Sequence, residues 1–304
     1  MEHGGGFLGP IILAVALGGP LLLGLAGLVL GRRSEAARGG APDWDWRLFG
    51  HSALLYTFAF NLIFFIQELF LVLPKALTPG LHPILYHNNH RWTGSHPLES
   101  LFQGMGALAI FLTGLACAWL VARGTGRSRT LRLFLIWMAY HGLFQSLPQV
   151  AIGALAPGND VGMAMDYFAL GAAAKFAAAM VALAGMVAAG LWLTRPLLSL
   201  AGNAAALDGT GRRTRFAFNV AVLPGFAAIP LIILYRIPRE TLEVVAPPVA
   251  VAIVGLSWIA ANAWRAADAV PARLTGRTGL REPLILCFIL LLVFHLVLRP
   301  GIAF

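Results

Sequence analysis

Long apolar runs alternate with short polar segments along this whole chain. A membrane-spanning helix needs about 20 predominantly apolar residues to cross the hydrocarbon core of a bilayer. Runs that approach or exceed this length cover residues 7–31, 48–74, 98–122, 131–156, 162–194, 216–235, 245–265 and 282–298. The pattern therefore predicts an all-α, polytopic transmembrane helix bundle of about eight spans, with residues 1–304 forming a single integral membrane domain.

Two of these runs have unusual features. The first begins close to the N-terminus, but the basic segment that opens a cleavable signal peptide does not precede it. We therefore expect this run to be a retained first span. The fifth run, residues 162–194, is longer than a bilayer needs, so we expect it to tilt, to break or to extend into water.

The composition indicates that lipid is the solvent of this chain. Apolar residues make up 59% of it, charged residues make up 12%, and the mean hydropathy is +0.77. A soluble domain carries about 25% charged residues. The net charge of +9 comes from arginines in short loops, without the clustered basic and aromatic residues of a nucleic-acid-binding face. The lipid bilayer is thus an expected partner, and nucleic acid is not.

The basic residues are distributed unevenly among the loops. Each of the four odd-numbered loops holds four arginines, 16 in all, whereas the even-numbered loops together hold Lys75, Arg91, Arg236 and Arg239. Short cytoplasmic loops carry the excess of Lys and Arg in membrane proteins. The odd loops are therefore predicted to be cytoplasmic and both termini to lie on the outer face. We expect a multi-pass protein of a cell membrane, such as a bacterial inner membrane.

Half of the eight histidines lie in the second loop, which this topology places on the outer face. Glu99 and Gln103 follow His96 by three and seven residues, so the three side chains would share one helix face at the start of the third span. Imidazole and carboxylate ligands suit Zn, Fe, Cu or Mn, and the sequence does not choose among these metals. We predict a transition-metal site with the ligands His87, His90, His96 and Glu99.

Polar residues also occur inside the spans that approach this loop. His141, Gln145 and Gln149 recur every four residues and form one stripe on the fourth span, although such a stripe could also serve only interhelical hydrogen bonding. Ionisable residues inside a membrane are costly and are by default functional candidates. Lys175 is expected to pair with Glu68 or Asp166. The predicted cofactor-binding residues beneath the loop are Glu68, Gln103, His141, Gln145, Gln149 and Lys175.

Three functional hypotheses follow from these residues. The first is a metal or cofactor site at the outer rim of the bundle, in a metalloenzyme or a metal-handling protein. The second is a non-catalytic accessory subunit whose second loop docks a membrane-protein partner. The third is a proton-coupled transporter in which Glu68, His141 and Lys175 form the relay. The residues assign no reaction and no substrate.

Overall fold

The computed structural model describes residues 5–35, 44–276 and 278–304, so Arg38 and Arg277 of the predicted cytoplasmic loops lie outside the described residues. The first half of the described chain contains four long helices. Helix α1 covers Gly5–Leu13, a π-helical turn at Ala14–Gly18 and Gly19–Glu35. The next three are α2 (Trp46–Ala76), α3 (Glu99–Ala122) and α4 (Arg129–Gly153).

The second half of the described chain contains one short helix and four long ones. These are α5 (Asp160–Tyr167), α6 (Ala172–Leu198), α7 (Thr210–Ala217, a π-helical turn at Phe218–Val222, and Leu223–Arg236), α8 (Thr241–Asn262) and α9 (Arg281–Leu292, extended by a π-helical turn at Val293–Leu298). Short 3-10 turns at Ala204–Leu207 and Ala263–Arg265 precede α7 and follow α8.

Seven helices among the described residues are long and apolar enough to cross a membrane. They are α1 over Phe7–Val29, α2, α3, α6, α7, α8 and α9. This finding confirms that the chain is a multi-pass integral membrane protein built as a helical bundle. Helix α4 is not among the seven, because its polar stripe lowers its hydropathy, although its 25 residues give it a similar length.

Helix α4 is the most enclosed helix of the bundle. Every residue from Leu135 to Ser146 is buried, on all sides of the helix. It packs against α2, α3, α5, α6 and α8. A helix surrounded by protein does not need the uniformly apolar surface of a helix that faces lipid. Helix α4 can therefore carry polar residues that helices at the bundle surface cannot.

The fifth apolar run is broken into two helices. The side chain of Asn159 accepts a hydrogen bond of 2.7 Å from the amide of Gly162 and caps the start of α5. Ala169 has a φ of 49°, in the left-handed region that ends a helix, and α6 begins at Ala172. The sequence predicted that this long run would tilt, break or extend into water. The structure shows a break, between α5 and α6.

The second loop is not irregular, because it contributes a small sheet to the otherwise helical bundle. Strands β1 (Leu81–Leu85) and β2 (His90–Gly94) form an antiparallel hairpin, and β3 (Ile302–Ala303) pairs with the other edge of β1. Alternate residues of β1 are buried, and this strand packs on α2. A period of two is the pattern of a strand with one buried face. The hairpin covers the C-terminal end of α2.

Helix α2 extends further than the sequence predicts. The predicted span ends at residue 74, but the helix continues through Pro74 to Ala76. Lys75 is consequently a helical residue with no exposed surface, rather than a cation of the outer loop. Helix α2 also packs against α3, α4, α7 and α9, so it shares the centre of the bundle with α4.

Candidate functional site

A histidine of the hairpin and a glutamate of α2 form a buried pair. His90 is the first residue of β2, and its Nδ1 lies 2.8 Å from Oε2 of Glu68. Each side chain is only 7% exposed. A buried carboxylate needs a partner, because desolvation without compensation is costly. His90 therefore joins the hairpin to the C-terminal half of α2.

Lys75 lies beside this pair and contacts the third helix. Its ammonium donates to Oε1 of Gln103 and to the carbonyl of Leu71, each at 2.8 Å. It also lies 4.6 Å from the ring centroid of Trp92, on which the imidazole of His90 stacks at 5.7 Å. The four polar side chains Glu68, Lys75, His90 and Gln103 thus form one buried group, which we call the outer-rim cluster.

The hydrogen bonds of the outer-rim cluster define the protonation of His90. Because Lys75 donates to Oε1 of Gln103, this oxygen is an acceptor, and it lies 3.2 Å from Nε2 of His90. The other ring nitrogen faces the carboxylate of Glu68. Both nitrogens therefore face acceptors, and an imidazolium is the form of histidine with two N–H donors. The geometry fits an imidazole ring that donates one N–H to the carboxylate of Glu68 and the other to the carboxamide oxygen of Gln103.

Asp160, at the start of α5, interacts electrostatically with the outer-rim cluster. Burial raises the pKa of its carboxyl group, and the negative charge of Glu68 raises it further, whereas His90 and Lys75 oppose this shift. A carboxyl group whose pKa is raised by burial and by a second acid is a proton acceptor. Arg236, buried at the end of α7, is also attracted to Glu68.

The predicted metal ligands do not converge. His87 lies in the turn of the hairpin, with its ring 6.0 Å from that of His295 in α9. His96 accepts from the amide of Leu98, and its own amide donates to Glu99, so these two residues shape the start of α3. The hairpin register places His90 on α2 instead.

The predicted four-ligand metal site is therefore not supported. Within residues 5–35, 44–276 and 278–304, no group of three or more His, Cys, Asp or Glu side chains is placed to hold a metal ion. Burial lowers the pKa of His87 to about 4, helped by the charges of His295 and Arg299, whereas a hydrogen bond to the backbone of Arg236 opposes this shift. It is held as a neutral imidazole.

The polar stripe of α4 is hydrogen-bonded to α2. Gln149 donates to Oε1 of Gln67 at 2.9 Å and to the carbonyl of Gln145 at 2.7 Å. Gln145 in turn donates to the carbonyl of Phe60 at 3.4 Å. These carboxamides join α4 to α2 at Gln67, the residue before Glu68, and His141 lies one turn further along α4.

Lys175 does not belong to the outer-rim cluster. Its ammonium pairs with Asp166 of α5, and the side chain of Asp166 is half exposed. The alternative in which Lys175 pairs with Glu68 is therefore wrong, because the break between α5 and α6 keeps Lys175 next to its near neighbour in sequence. The pair links the two halves of the broken fifth run.

Lys75, Trp92 and Asp160 are functional candidates that the sequence analysis missed. Lys75 follows Pro74, and a proline is commonly read as the end of a helix. Its position seven residues after Glu68 was the available signal, since residues i and i+7 share a helix face. The contacts of Trp92 depend on the hairpin, which no local pattern indicated. Those of Asp160 depend on where the fifth run breaks, which the length of the run did not locate.

No protein-family model matches this chain, and neither a curated protein nor a solved structure matches it significantly. The geometry of its own residues is thus the basis for assigning a function.

Proposed function

We propose that this protein has eight membrane spans, with α4 as the eighth and both termini on the outer face. The length of α4 and its place among membrane helices support a span of its own. Two of the four basic residues in the even loops, Lys75 and Arg236, are buried in the bundle. The outer loops therefore present even less positive charge than the sequence suggests, which strengthens the positive-inside argument.

We propose that the protein transports protons, with the outer-rim cluster as its outer proton-exchange site. The observation that carries this proposal is the imidazole of His90, which lies between Glu68 and Gln103 with both nitrogens facing oxygen acceptors. Buried Asp, Glu and His residues that contact one another are typical of proton relays in membrane transporters. This is the third of the three hypotheses, with Lys75 and Asp160 in place of Lys175.

The charges of the outer-rim cluster allow a proton to move within the His90–Glu68 pair. The Nδ1 proton of His90 can pass to Oε2 of Glu68, which converts an imidazolium and a carboxylate into two neutral groups. Lys75 stays on the carboxamide of Gln103 and keeps its oxygen oriented. Asp160 is a second acceptor near the pair. A buried ion pair that served stability alone would bring little advantage over apolar packing.

Proton uptake by liposomes that contain the purified protein tests this proposal. A pH-sensitive dye inside the vesicles reports proton entry when a potassium gradient and valinomycin set the membrane potential. We expect wild-type protein to admit protons and Glu68→Gln and His90→Gln to reduce the rate by about tenfold or more. Asp166→Asn, which also removes one acidic charge, is the matched control and should retain the wild-type rate.

Two results would contradict the proposal. Wild-type vesicles that admit protons no faster than empty ones would exclude proton transport. Equal rates for wild type and Glu68→Gln would exclude the outer-rim cluster as the exchange site. Metal analysis of the same preparation separates the first hypothesis, because a near-stoichiometric metal lost in His90→Gln would favour a metal site instead.

A further inference from the structure

A groove of about 820 Å³ lies between α1, α7 and α8. Its volume falls within the about 300–1,000 Å³ of pockets that hold small molecules and cofactors. Residues 17–28 of α1, the start of α7 and the last turns of α8 form its walls, so the groove lies towards one end of the bundle. Helix α7 continues from this end to Arg236, which is attracted to Glu68, so the outer-rim cluster lies at the opposite end.

The walls of the groove are mainly apolar and open towards lipid. Leu21, Leu25 and Leu28 of α1 line the groove, and each is more than half exposed. Helix α1 is also the least buried of the seven membrane-length helices in the described part of the chain. Exposed leucines within a membrane span face the hydrocarbon core of the bilayer. The groove is therefore accessible to the acyl chains of lipids.

Hydrogen bonds between the helix ends fix the walls of the groove. The indole of Trp264, which follows α8, donates to the carbonyl of Leu23 in α1 at 3.1 Å. Gly27 makes this approach possible, because a Cβ there would lie 2.4 Å from the same indole ring. Arg213 of α7 donates to the carbonyl of Trp264 at 2.9 Å. These contacts join all three helices at the end of the groove where α7 begins.

This end of the groove carries positive charge. Arg215 lines the groove, is exposed, and forms no ion pair or hydrogen bond within the part of the chain that the structure describes. Arg212 and Arg213 precede it, and the first turn of α7 contains no acidic residue. The nearest acid in sequence, Asp208, attracts Arg213. The start of a helix adds a partial positive charge of its own. An apolar groove with a free guanidinium at one end fits an amphipathic anion.

We propose that this groove binds an anionic phospholipid. The phosphate of the lipid pairs with Arg215, and an acyl chain lies between α1 and α8. The planar guanidinium of arginine matches the geometry of a phosphate group. In the proposed topology the groove lies at the cytoplasmic end of the bundle, where anionic lipids accompany basic pockets between membrane helices. An apolar helix of a partner protein could cover the same walls but would leave Arg215 without a counter-charge.

Native mass spectrometry of the delipidated protein, titrated with dioleoyl phosphatidylglycerol or dioleoyl phosphatidylcholine, tests the site. We expect the wild type to bind one phosphatidylglycerol more tightly than phosphatidylcholine. Arg215→Gln should weaken phosphatidylglycerol binding about fivefold, the effect of one basic side chain at an anionic membrane surface. Arg281→Gln is the matched control, because Arg281 is also exposed and also begins a helix but lies outside the groove. It should retain the wild-type affinity.

A second variant tests the acyl-chain part of the groove. A Cβ on Gly24 would have the Cβ of Ala261, 4.0 Å away, as its nearest neighbour, so a larger side chain there extends into the groove. Gly24→Leu should weaken phosphatidylglycerol binding at least as much as Arg215→Gln does. Gly9→Leu, in α1 outside the groove, is the control and should bind the lipid as the wild type does.

Three outcomes would overturn the proposal. They are equal affinities of the wild type for the two lipids, equal affinities of the wild type and Arg215→Gln for phosphatidylglycerol, and a wild-type dimer that binds no lipid and dissociates in Gly24→Leu. The last would assign the groove to a second copy of the chain. If Gly24→Leu does not fold, the comparison with Arg215→Gln decides alone, because Arg215 is exposed. Lipid binding is measured without proton transport, so these outcomes do not depend on the proposed function.

Discussion

Glu68 and Lys75 lie two turns apart on one face of α2, yet each takes its partner from a different element. Glu68 pairs with His90 of the hairpin, and Lys75 donates to Gln103 of α3. A single helix face thereby connects the hairpin and the third helix. The outer-rim cluster is consequently a structural junction as well as the proposed proton-exchange site.

Replacing Lys75 by methionine should destabilise the protein. The change removes a charged donor from Gln103 Oε1 and from the carbonyl of Leu71, in a site without exposed surface. A hydrogen bond to a charged group contributes about 1.5–3 kcal/mol. Thermal unfolding in detergent measures the effect. Lys175→Met is the matched control and should cost less than about 1 kcal/mol, because Asp166 is half exposed.

A double-mutant cycle tests whether Lys75 and Gln103 act together. If the two side chains interact as their distance of 2.8 Å indicates, Lys75→Met and Gln103→Leu combined should cost less than the sum of the single changes. Strictly additive losses would show that the bond does not contribute to stability.

His87 should make the protein less stable in acid. Its pKa is lowered from 6.5 to about 4 in the folded protein, so between these pH values the unfolded chain binds a proton that the folded chain does not. Folding stability therefore falls as the pH drops from about 6.5 towards 4. Unfolding temperatures at pH 7 and pH 5 should differ less in His87→Phe than in the wild type. The same difference in both proteins would argue against a neutral, buried His87.

Asp160 should produce the opposite dependence. Its pKa is raised in the folded protein, mainly by burial and then by Glu68, so the folded state holds its proton more tightly than the unfolded state does. The contribution of Asp160 to stability is present below its unfolded pKa and is lost as the pH rises through the folded value. Asp160→Asn should therefore be more stable than the wild type at pH 7. A less stable variant would mean that Lys75 and His90 outweigh burial.

The contact between α3 and α4 should not tolerate a larger residue. A Cβ on Gly142 would lie 2.5 Å from the Cα of Gly114 and 2.6 Å from the carbonyl oxygen of Ile110. Small residues allow membrane helices to approach closely in this way. Gly142→Ala should lower stability by about 1–3 kcal/mol through overpacking. Gly9→Ala in α1, where no other atom lies within 4 Å of the new Cβ, is the control and should have little effect.

The bundle could be predicted from sequence, whereas the site was only partly predictable. Apolar runs of membrane length are a local property, and they located each long helix to within several residues. Glu68 and Gln103 were identified because polar residues are rare in apolar spans, and His90 was identified because half of the histidines lie in the second loop. The contacts among these three residues could not be predicted, because they require the hairpin to fold back over α2.

The metal site was predicted from residue types and their closeness in sequence, which do not determine where the side chains point. His87, His90 and His96 are close in sequence, but the hairpin turn and the start of α3 orient them towards α9, α2 and their own backbone, respectively. For Lys175, the sequence predicts a pair with Glu68 or with Asp166 and does not choose between the two. Once Ala169 ends α5, the nearest acid to Lys175 is Asp166.

The protonation of His90 is the most direct test of the central claim, which is that the outer-rim cluster exchanges a proton. Solid-state NMR of protein labelled with 15N-histidine in lipid, at pH 7, distinguishes an imidazolium from a neutral ring. One imidazolium signal that is absent from His90→Gln and becomes neutral in Glu68→Gln is the result we predict. A neutral His90 in the wild type, unchanged by Glu68→Gln, would contradict the account.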